Sequence, residues 1–187
     1  AATFDAVNCT FNNNSAGSGG DAIYGGSTWI IVNSIFWGSS NSFGLIPSNS
    51  YIKYSDVQGG VAGFSSSPNC ITSEPLFLDA SIGDLHLLNT SECVDSGTNT
   101  GWPGGQSVPA DDMDGISRPQ PAGTLLYDMG AYETFKYLDI VWVSDTRGSD
   151  ETGAGTKNAP FKTIQKGLNY VAAGGLVSVE TGLYKGT

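Results

Sequence analysis

The sequence predicts an all-β solenoid with one short capping α-helix. A five-residue pattern recurs in the first third of the chain, short segments of alternating apolar and polar residues are separated by Gly, Ser and Asn, and a single amphipathic segment lies near the C-terminal end. Internal repetition with a period of about twenty residues or more is typical of architectures in which similar units stack on one another.

The repeat carries the prediction of stacked strands. Residues 7–11 (VNCTF) recur as residues 32–36 (VNSIF) after 25 positions, and more loosely as residues 54–57 (YSDV). Each copy is predicted to be one short strand, followed by turn residues such as those at 12–15. A single coil cannot bury its own inner face, so each strand is expected to pair with the equivalent strands above and below.

Two more strands of the same coil are predicted at residues 21–24 and 28–32, on either side of Gly25 and Gly26. The run at 29–32 (WIIV) is apolar on both faces. Beyond about residue 61 the repeat dissolves into a proline-rich region, which excludes central strands and predicts a terminal cap. Its prolines are Pro68, Pro75, Pro103, Pro109, Pro119 and Pro121.

The pattern changes again after Glu133. Residues 137–143 are predicted to form a strand, 144–157 a Gly- and Asp-rich loop, and 176–180 a second strand. Pro160 opens a predicted helix that Gly174 and Gly175 end. Its predicted apolar stripe consists of Phe161, Ile164, Leu168 and Val171.

Composition limits the partners of the chain. Eight Lys plus Arg oppose eighteen Asp plus Glu, and the net charge of −10 disfavours nucleic acid and anionic membrane surfaces. No apolar run approaches the roughly 20 residues that cross a bilayer, so membrane insertion is not expected. Only 14% of the residues are charged, and a surface rich in amides and hydroxyls favours an extracellular location.

Several motifs resemble a known group of proteins. In chain order, these are NSIFWG at 33–38, YSDVQGG at 54–60, EPLFLD at 74–79, GDLHL at 83–87 and DMGAYE at 128–133. Together they resemble the C-terminal end of bacterial secreted right-handed parallel β-helix proteins with a choice-of-anchor C-terminus. Residues 138–185, with APFKTIQ at 159–165, resemble the N-terminal cap of pectate-lyase-like β-helices.

The resemblance implies two parts in an unusual order. Residues 1–133 correspond to the C-terminal coils and Pro-rich end of a β-helix, and residues 134–187 to the N-terminal cap of a following or neighbouring β-helix unit. Our hypothesis is that 134–187 of one copy complete the next copy head-to-tail, because unpaired strand edges recruit strands and a contact that does not close produces a filament. A monomeric fragment of a giant surface protein, flanked by adjacent β-helix repeats, is the alternative.

The chemistry-bearing residues favour a non-catalytic module that requires no cofactor. Sugar-cleaving sites need clustered acidic or basic residues on successive coils, and residues 1–60 offer only Asp5, Asp21, Lys53 and Asp56, out of register. A polysaccharide lyase or hydrolase, or a carbohydrate-binding module, remains the alternative. Two Gly-containing acidic loops are candidate calcium sites, the alternative being solvated Asx-turns. Their residues are Asp111, Asp112 and Asp114 in one loop, and Asp145, Asp150 and Glu151 in the other.

Three cysteines favour one disulfide and one buried thiol. Cys9 lies in an alternating pattern where a small side chain facing the core is expected, so we predict that Cys70 pairs with Cys93. Asn8, Asn13 and Asn89 begin glycosylation acceptor triplets. As an alternative, Asn8 is predicted to stack on Asn33 in an amide ladder.

Overall fold

The computed structural model describes residues 3–100, 107–120, 126–135 and 137–184. Within these residues the chain is mostly β, with one α-helix and strands that pair mainly in parallel, which confirms the all-β class. None of the helices described there is long and apolar enough to cross a membrane. The chain divides into a first unit, Ala1–Arg118 with Leu125–Thr134, and a second unit, Pro119–Thr124 with Phe135–Thr187.

Short strands and one 3-10 turn make up the regular structure of the first unit. In chain order they are β1 (Thr3–Val7), β2 (Thr10–Asn12), β3 (Ile23–Tyr24), β4 (Thr28–Val32), β5 (Ile35–Trp37), β6 (Phe43–Gly44), β7 (Tyr51–Lys53), β8 (Asp56–Val57), β9 (Phe77–Asp79), the 3-10 turn Ala80–Ile82 and β10 (Asp84–Leu87). The first eight strands form three parallel sheets, in the orders β1-β4-β7, β2-β5-β8 and β3-β6. β9 and β10 form an antiparallel pair.

The register of these sheets follows the sequence repeat. Val7 lies opposite Val32, and Phe11 lies opposite Phe36, at the spacing of 25 residues that the sequence shows. The next step is 21 residues, with Val32 opposite Lys53. The predicted stacking of residues 7–11 on residues 32–36 is therefore confirmed.

Each copy of the repeat is a corner between two strands, so the prediction of a single strand was wrong. Asn8, Asn33 and Tyr54 have φ values of 51°, 50° and 47°, and these left-handed residues separate the paired strands of successive repeats. Asn69, with a φ of 56°, forms a fourth corner 15 residues after Tyr54. The sequence repeat does not reveal this corner. Asn tolerates this conformation better than most residues, which suits three of the four corners.

The residue after each left-handed position closes the corner with a small side chain. In all four corners its hydroxyl or thiol donates to the carbonyl two residues earlier: Cys9 to Val7 (3.5 Å), Ser34 to Val32 (2.9 Å), Ser55 to Lys53 (3.0 Å) and Cys70 to Pro68 (3.9 Å). The corners are also joined to one another, because the amides of Cys9 and Ser34 donate to Ser34 Oγ and Ser55 Oγ, each at 3.1 Å.

Two of the left-handed residues form the predicted amide ladder. Asn33 Nδ2 donates to Asn8 Oδ1 at 3.3 Å. Asn33 also donates to the Thr98 carbonyl at 2.7 Å and accepts from the Thr98 amide at 2.9 Å. Asn8 Nδ2 donates to the Asp128 carbonyl at 2.9 Å. The ladder therefore ties the segments around Thr98 and Asp128 to the corners.

The side chains on one face of the parallel sheets form an inner hydrophobic cluster. Trp29, Ile31 and Phe36 are among its fully buried members, and Phe11 stacks on Phe36 with ring centroids 4.5 Å apart. Cys9 packs against this cluster, as predicted. All four residues of the apolar run 29–32 are buried, so both faces of β4 are covered.

Ile35 lies on the opposite face and belongs to an outer cluster, because successive side chains of a strand alternate between faces. Its partners there are Leu87, Cys93, Val94 and Met129. The backbone at Gly130 approaches this face closely: its φ is 94°, and a Cβ would lie 2.8 Å from Ile35 Cδ1. Segments of the proline-rich region thus cover the outer face of β5, while Pro103 and Pro121 lie outside the described residues.

The second unit contains β11 (Leu138–Val143), α1 (Ile164–Tyr170) and β12 (Val171–Val179). β11 and β12 are parallel, with Val143 opposite Val179. The two predicted strands and the helix between them are confirmed, but the helix ends at Tyr170, and Val171, Gly174 and Gly175 belong to β12 instead. A buried cluster formed by Val141, Val143, Phe161 and Tyr170 lies between the sheet and the helix.

The start and the buried face of the helix differ from the prediction. Thr163 caps α1 by accepting from the Lys166 amide, so the helix begins three residues after Phe161. Gly167 and Tyr170 are its buried residues, whereas Leu168 is 54% exposed. A Cβ at Gly167 would lie 2.7 Å from Val143 Cγ2, so a glycine lets the helix backbone approach the sheet and moves the apolar stripe out of the interface.

Replacement of Asn33 by Ala is expected to lower the free energy of unfolding by about 3 kcal/mol, because it leaves buried partners unsatisfied and removes the residue type that favours the left-handed backbone. Asn49 is the matched control, since its φ is 70° but its side chain is exposed. Asn49→Ala should cost about 1 kcal/mol. Equal losses in urea unfolding of the two variants would contradict the role assigned to the ladder.

Candidate functional site

The candidate functional site consists of two strand edges, one in each unit. Among the strands that the structure describes, β1 is the terminal strand of its sheet and β12 pairs only with β11. We call the side of β1 that faces away from β4 the β1 edge (residues 3–7), and the side of β12 that faces away from β11 the β12 edge (residues 171–179). Unpaired edges of parallel strands present free backbone donors and acceptors and are templates for a further strand.

Hydrogen bonds identify which side of the second unit is open. The side of β11 that faces away from β12 is already hydrogen-bonded. On that side the Trp142 amide donates to the Gly155 carbonyl at 2.7 Å and the Ser144 amide donates to the Phe161 carbonyl at 2.8 Å. The Glu180 amide donates to the Val143 carbonyl at 2.9 Å, toward β11. Since backbone groups alternate in direction along a strand, the amide and carbonyl of Val179 point to the β12 edge.

Apolar side chains accompany these edges. Val179 is 42% exposed, and Phe4 on β1 is 39% exposed, although the residue opposite Phe4 in the next repeat, Trp29, is 1% exposed. Ile140 and Leu176, which lie opposite each other on β11 and β12, are both more than half exposed. Parallel sheets are normally covered on both faces, so a two-stranded parallel sheet with this exposure is incomplete by itself.

Charge is divided unequally between the units. The first unit carries thirteen of the eighteen acidic residues and only two of the eight basic ones, Lys53 and Arg118. The second unit carries five acidic and six basic residues. Contact between two first units is therefore opposed by like charge, whereas contact between a first and a second unit is not.

The first predicted acidic loop is built around backbone hydrogen bonds. Asp112 accepts from the amides of Asp114 (2.8 Å), Ile116 (2.8 Å) and Glu133 (2.9 Å), as an Asx-turn does. Asp111 Oδ1 accepts from Ser117 Oγ at 3.1 Å. The structure therefore does not bring the carboxylates of Asp111, Asp112 and Asp114 to a common point.

Asp114 instead contacts His86 on β10, a partner that the sequence does not reveal. His86 Nε2 lies 2.8 Å from Asp114 Oδ2, and Nδ1 lies 2.6 Å from Asp84 Oδ1. Burial lowers the pKa of His86, but the hydrogen bonds from Asp84 and Asp114 outweigh it and raise the pKa above its ordinary value. The ring also lies against Tyr132, with centroids 3.9 Å apart, so the cluster joins β10 to the acidic loop.

The aspartates of the second acidic loop also accept hydrogen bonds from backbone amides. Asp150 Oδ1 accepts from the amides of Lys162 (2.8 Å) and Thr163 (3.0 Å), immediately before α1. Asp145 Oδ2 accepts from the Leu183 amide at 3.3 Å, and the exposed Glu151 follows at the tip of the loop. In the part of the chain that the structure describes, no group of three or more His, Cys, Asp or Glu side chains is placed to hold a metal ion.

The predicted disulfide is absent, because Cys9, Cys70 and Cys93 are all free thiols. Cys70 occupies a corner and packs against the inner cluster, whereas Cys93 is buried in the outer cluster on the other face. The prediction failed because Cys70 fills the same structural position as Cys9 and the corner serines, which sequence spacing alone did not reveal.

Cys93 has a different partner, the buried carboxyl group of Asp56. Cys93 Sγ lies 3.2 Å from Asp56 Oδ2, and both residues have no exposed surface. Burial raises the pKa of Asp56 to about 7, and burial together with the Asp56 charge raises the pKa of the Cys93 thiol. A thiol in this environment stays protonated and donates, so the pair is suited to structure rather than to nucleophilic chemistry.

Two further buried acids hold the segment that covers the outer cluster. Asp128 accepts from the amides of Asp95 (2.8 Å) and Thr134 (2.5 Å), and burial raises its pKa to about 8. Glu133 forms a buried ion pair with Arg118, whose Nη2 also donates to the Gly130 carbonyl at 3.1 Å. These contacts fasten the motif at 128–133 to the rest of the first unit.

Two shallow grooves lie on the first unit. One, of about 310 Å³, is lined by Asn12, Asn13, Trp37, Glu74 and Phe77 among others. The other, of about 410 Å³, is lined by residues of the last two corners and of the covering segments, including Tyr54, Asn69, Cys70, Asp95 and Met129.

The three candidate glycosylation positions differ in accessibility. Asn13 and Asn89 are exposed. Asn8 is 6% exposed and its amide is hydrogen-bonded within the ladder, so the folded chain cannot present it to a glycosyltransferase. The sequence triplet at Asn8 therefore reflects the corner, which favours Asn followed by a small residue.

Comparison with known proteins finds no family model, no curated protein and no solved structure that matches the chain. The functional interpretation therefore depends on the geometry of the strand edges and on the chemistry of the residues described above.

Replacement of Asp56 by Asn is expected to flatten the dependence of stability on pH. The folded-state pKa of about 7 lies above the ordinary value of 3.8, so the folded chain holds a proton that the unfolded chain loses. Wild-type stability should consequently fall as pH rises from 4 to 7, by up to about 1.4 kcal/mol per pH unit from this group, relative to the variant. Urea unfolding of both proteins across this range measures the difference, and a difference that stays constant would contradict the prediction.

Proposed function

We propose that the chain is a non-catalytic, extracellular structural and adhesive module of the right-handed parallel β-helix type. In this proposal it polymerises head-to-tail into a surface filament, with the second unit of one copy completing the first unit of the next. The open β12 edge carries the proposal, because a nine-residue strand with an unpaired side and exposed apolar neighbours is a site for strand addition.

The stacked repeats support a β-helix. Equivalent strands from successive repeats pair in parallel, and the corner between them has the same left-handed conformation at each of four steps. Parallel strands joined by a crossover connection are right-handed in nearly all proteins, which gives the proposed hand. The resemblance of the motifs at 33–38, 54–60 and 128–133 to secreted β-helix proteins agrees with this architecture and with a cell-surface location.

The division of charge supports a heterologous contact. A symmetric contact would place two acidic first units against each other, whereas a head-to-tail contact places each acidic unit next to one with a small excess of basic residues. Heterologous contacts that do not close into a ring extend indefinitely, which is the geometry of a filament.

The proposal is tested by blocking the β12 edge. Val179→Pro removes the amide that points outward and leaves the hydrogen bonds to β11 intact, so wild-type chains should assemble and this variant should remain monomeric. Val179→Thr, which keeps the amide and a β-branched side chain, is the control and should assemble. Sedimentation velocity and negative-stain electron microscopy of the full chain measure the outcome.

A wild-type chain that stays monomeric at all concentrations would overturn the proposal. Assembly is also measured with and without chelator. Loss of filaments in chelator would support the calcium sites proposed at the two acidic loops, and unchanged filaments would remove calcium from the account.

Carbohydrate binding is a second candidate function, favoured by the smaller groove. Trp37 offers an aromatic face, and Asn12, Asn13 and Glu74 supply hydrogen-bonding groups beside it. Pyranose rings bind to this combination of a stacking surface and polar rim. Titration with oligosaccharides, followed by Trp fluorescence, should give saturable binding that Trp37→Ala weakens at least tenfold. No saturable change would exclude this candidate.

A further inference from the structure

We propose that residues 91–95 form a latch over the outer cluster, which is closed while the buried carboxyl group of Asp56 is protonated and opens when that group ionises. In the closed state Cys93 and Val94 of the latch pack with Ile35 in the outer cluster. The latch goes beyond the proposed function, because it concerns the first unit alone and does not require assembly.

The surroundings of Asp56 suit only its neutral form. Asp56 has no exposed surface. Cys93 Sγ lies 3.2 Å from Oδ2, whereas Oδ1 has no hydrogen-bond partner among the described residues. A buried carboxylate needs a cation or several strong donors, and a thiol is a weak donor. The negative charge that ionisation creates is therefore poorly stabilised in the closed state.

The titratable groups that face Asp56 do not offset a negative charge. They are Cys93 and Glu92 on the latch and Cys70 on the last corner. On the other side β5 places the apolar Ile35 opposite Asp56. The two cations of the first unit are engaged elsewhere, because Lys53 Nζ donates to the Thr100 carbonyl at 2.9 Å and Arg118 pairs with Glu133. Ionised Asp56 consequently requires water.

The latch is the segment whose movement admits water to Asp56. β8 is fixed along both of its sides, since it pairs with β5 and forms a bridge between Asp56 and Ile71. Residues 92–95 form a turn that contacts β8 through the Cys93 side chain. Displacement of this turn therefore exposes the carboxyl group without breaking the parallel sheet.

The neighbouring segment at 127–130 has separate anchors. The Gly130 amide donates to the Asn33 carbonyl at 2.7 Å, and the Asp128 carbonyl accepts from Asn8 Nδ2 at 2.9 Å. The latch is joined to this segment by the bond from the Met129 amide to the Cys93 carbonyl, at 3.0 Å. Opening of the latch breaks that bond and leaves residues 127–130 on the amide ladder.

The open fraction of the latch should rise with pH. Burial raises the pKa of Asp56 in the closed state to about 7, whereas the ordinary value is 3.8. The closed state therefore holds a proton that the open state releases. The open fraction should increase by up to about tenfold per pH unit between these two values and become constant above pH 7.

The test measures how fast Cys93 reacts with a dipyridyl disulfide. Cys9→Ser and Cys70→Ser leave Cys93 as the one thiol, and serine already occupies the equivalent corners at Ser34 and Ser55. The rate in the folded chain is divided by the rate in the urea-unfolded chain at the same pH. This ratio removes the titration of the thiol itself and gives the open fraction.

We expect the open fraction to rise at least tenfold from pH 5 to pH 7 and to stay constant from pH 7 to pH 9. Asp56→Asn in the same background keeps the shape of the side chain but cannot ionise, so its open fraction should not change with pH. A constant open fraction in the chain with Asp56, or an equal rise in the Asn variant, would overturn the proposal.

Hydrogen exchange of the unsubstituted chain separates opening of the latch from unfolding of the whole unit. The Met129 amide reports the latch, and the Ile35 amide, which donates to the Cys9 carbonyl at 2.8 Å, reports the stacked strands. At pH 7 the Met129 amide should be at least tenfold less protected than the Ile35 amide. Equal protection of the two amides would show that residues 91–95 open only when the unit unfolds, and the latch would be rejected.

Discussion

The first unit depends on a single backbone constraint, the left-handed corner. At each corner one residue has a positive φ. The side-chain hydroxyl or thiol of the next residue donates a hydrogen bond to the backbone carbonyl two residues before it. Because this arrangement recurs at Asn8, Asn33, Tyr54 and Asn69, the strands on both sides of every corner are brought into register simultaneously. The amide ladder and the inner and outer clusters all follow from that alignment.

The buried polar groups have a common task in this arrangement. Asp56, Asp128 and the Arg118–Glu133 pair all lie in or beside the outer cluster, where the chain after the repeats covers the parallel sheet. Burying such groups is costly unless they are hydrogen-bonded, and each contacts a segment distant in sequence. These polar contacts fix the positions at which the irregular segments pack on the parallel sheet. Apolar contacts alone define such positions less well.

The sequence predicts the strands that follow a repeating pattern. It does not predict the features that depend on contacts between residues distant in the chain. Alternation identified the strands, and the repeat identified the stacking of Phe11 on Phe36. The alternation in Val-Asn-Cys-Thr-Phe predicts a strand where the structure has a corner, because nothing in that pattern shows that Asn8 has a positive φ. The fourth corner was hidden because its spacing falls to 15 residues.

The helix and the site residues show the same limit. The spacing predicts an apolar stripe through Leu168, but the close approach of the helix backbone to the sheet at Gly167 places another face of the helix in the interface. The acidic loops had the composition of cation sites, yet Asp112 and Asp150 accept backbone amides that sequence cannot locate. Strand order decides which edges remain open, and it depends on pairing between distant segments. The hypothesis that the second unit completes another copy therefore came from motif order and not from any local signal.

Successive corners are separated by 25, 21 and 15 residues, yet their conformation is unchanged. All the variation in length is absorbed in the chain between corners. Insertion and deletion in those connecting segments can therefore proceed without disturbing the alignment of the stack. Such a scaffold separates the part of the chain that must be conserved from the part that is free to diversify, so new surface loops can arise on an unaltered frame.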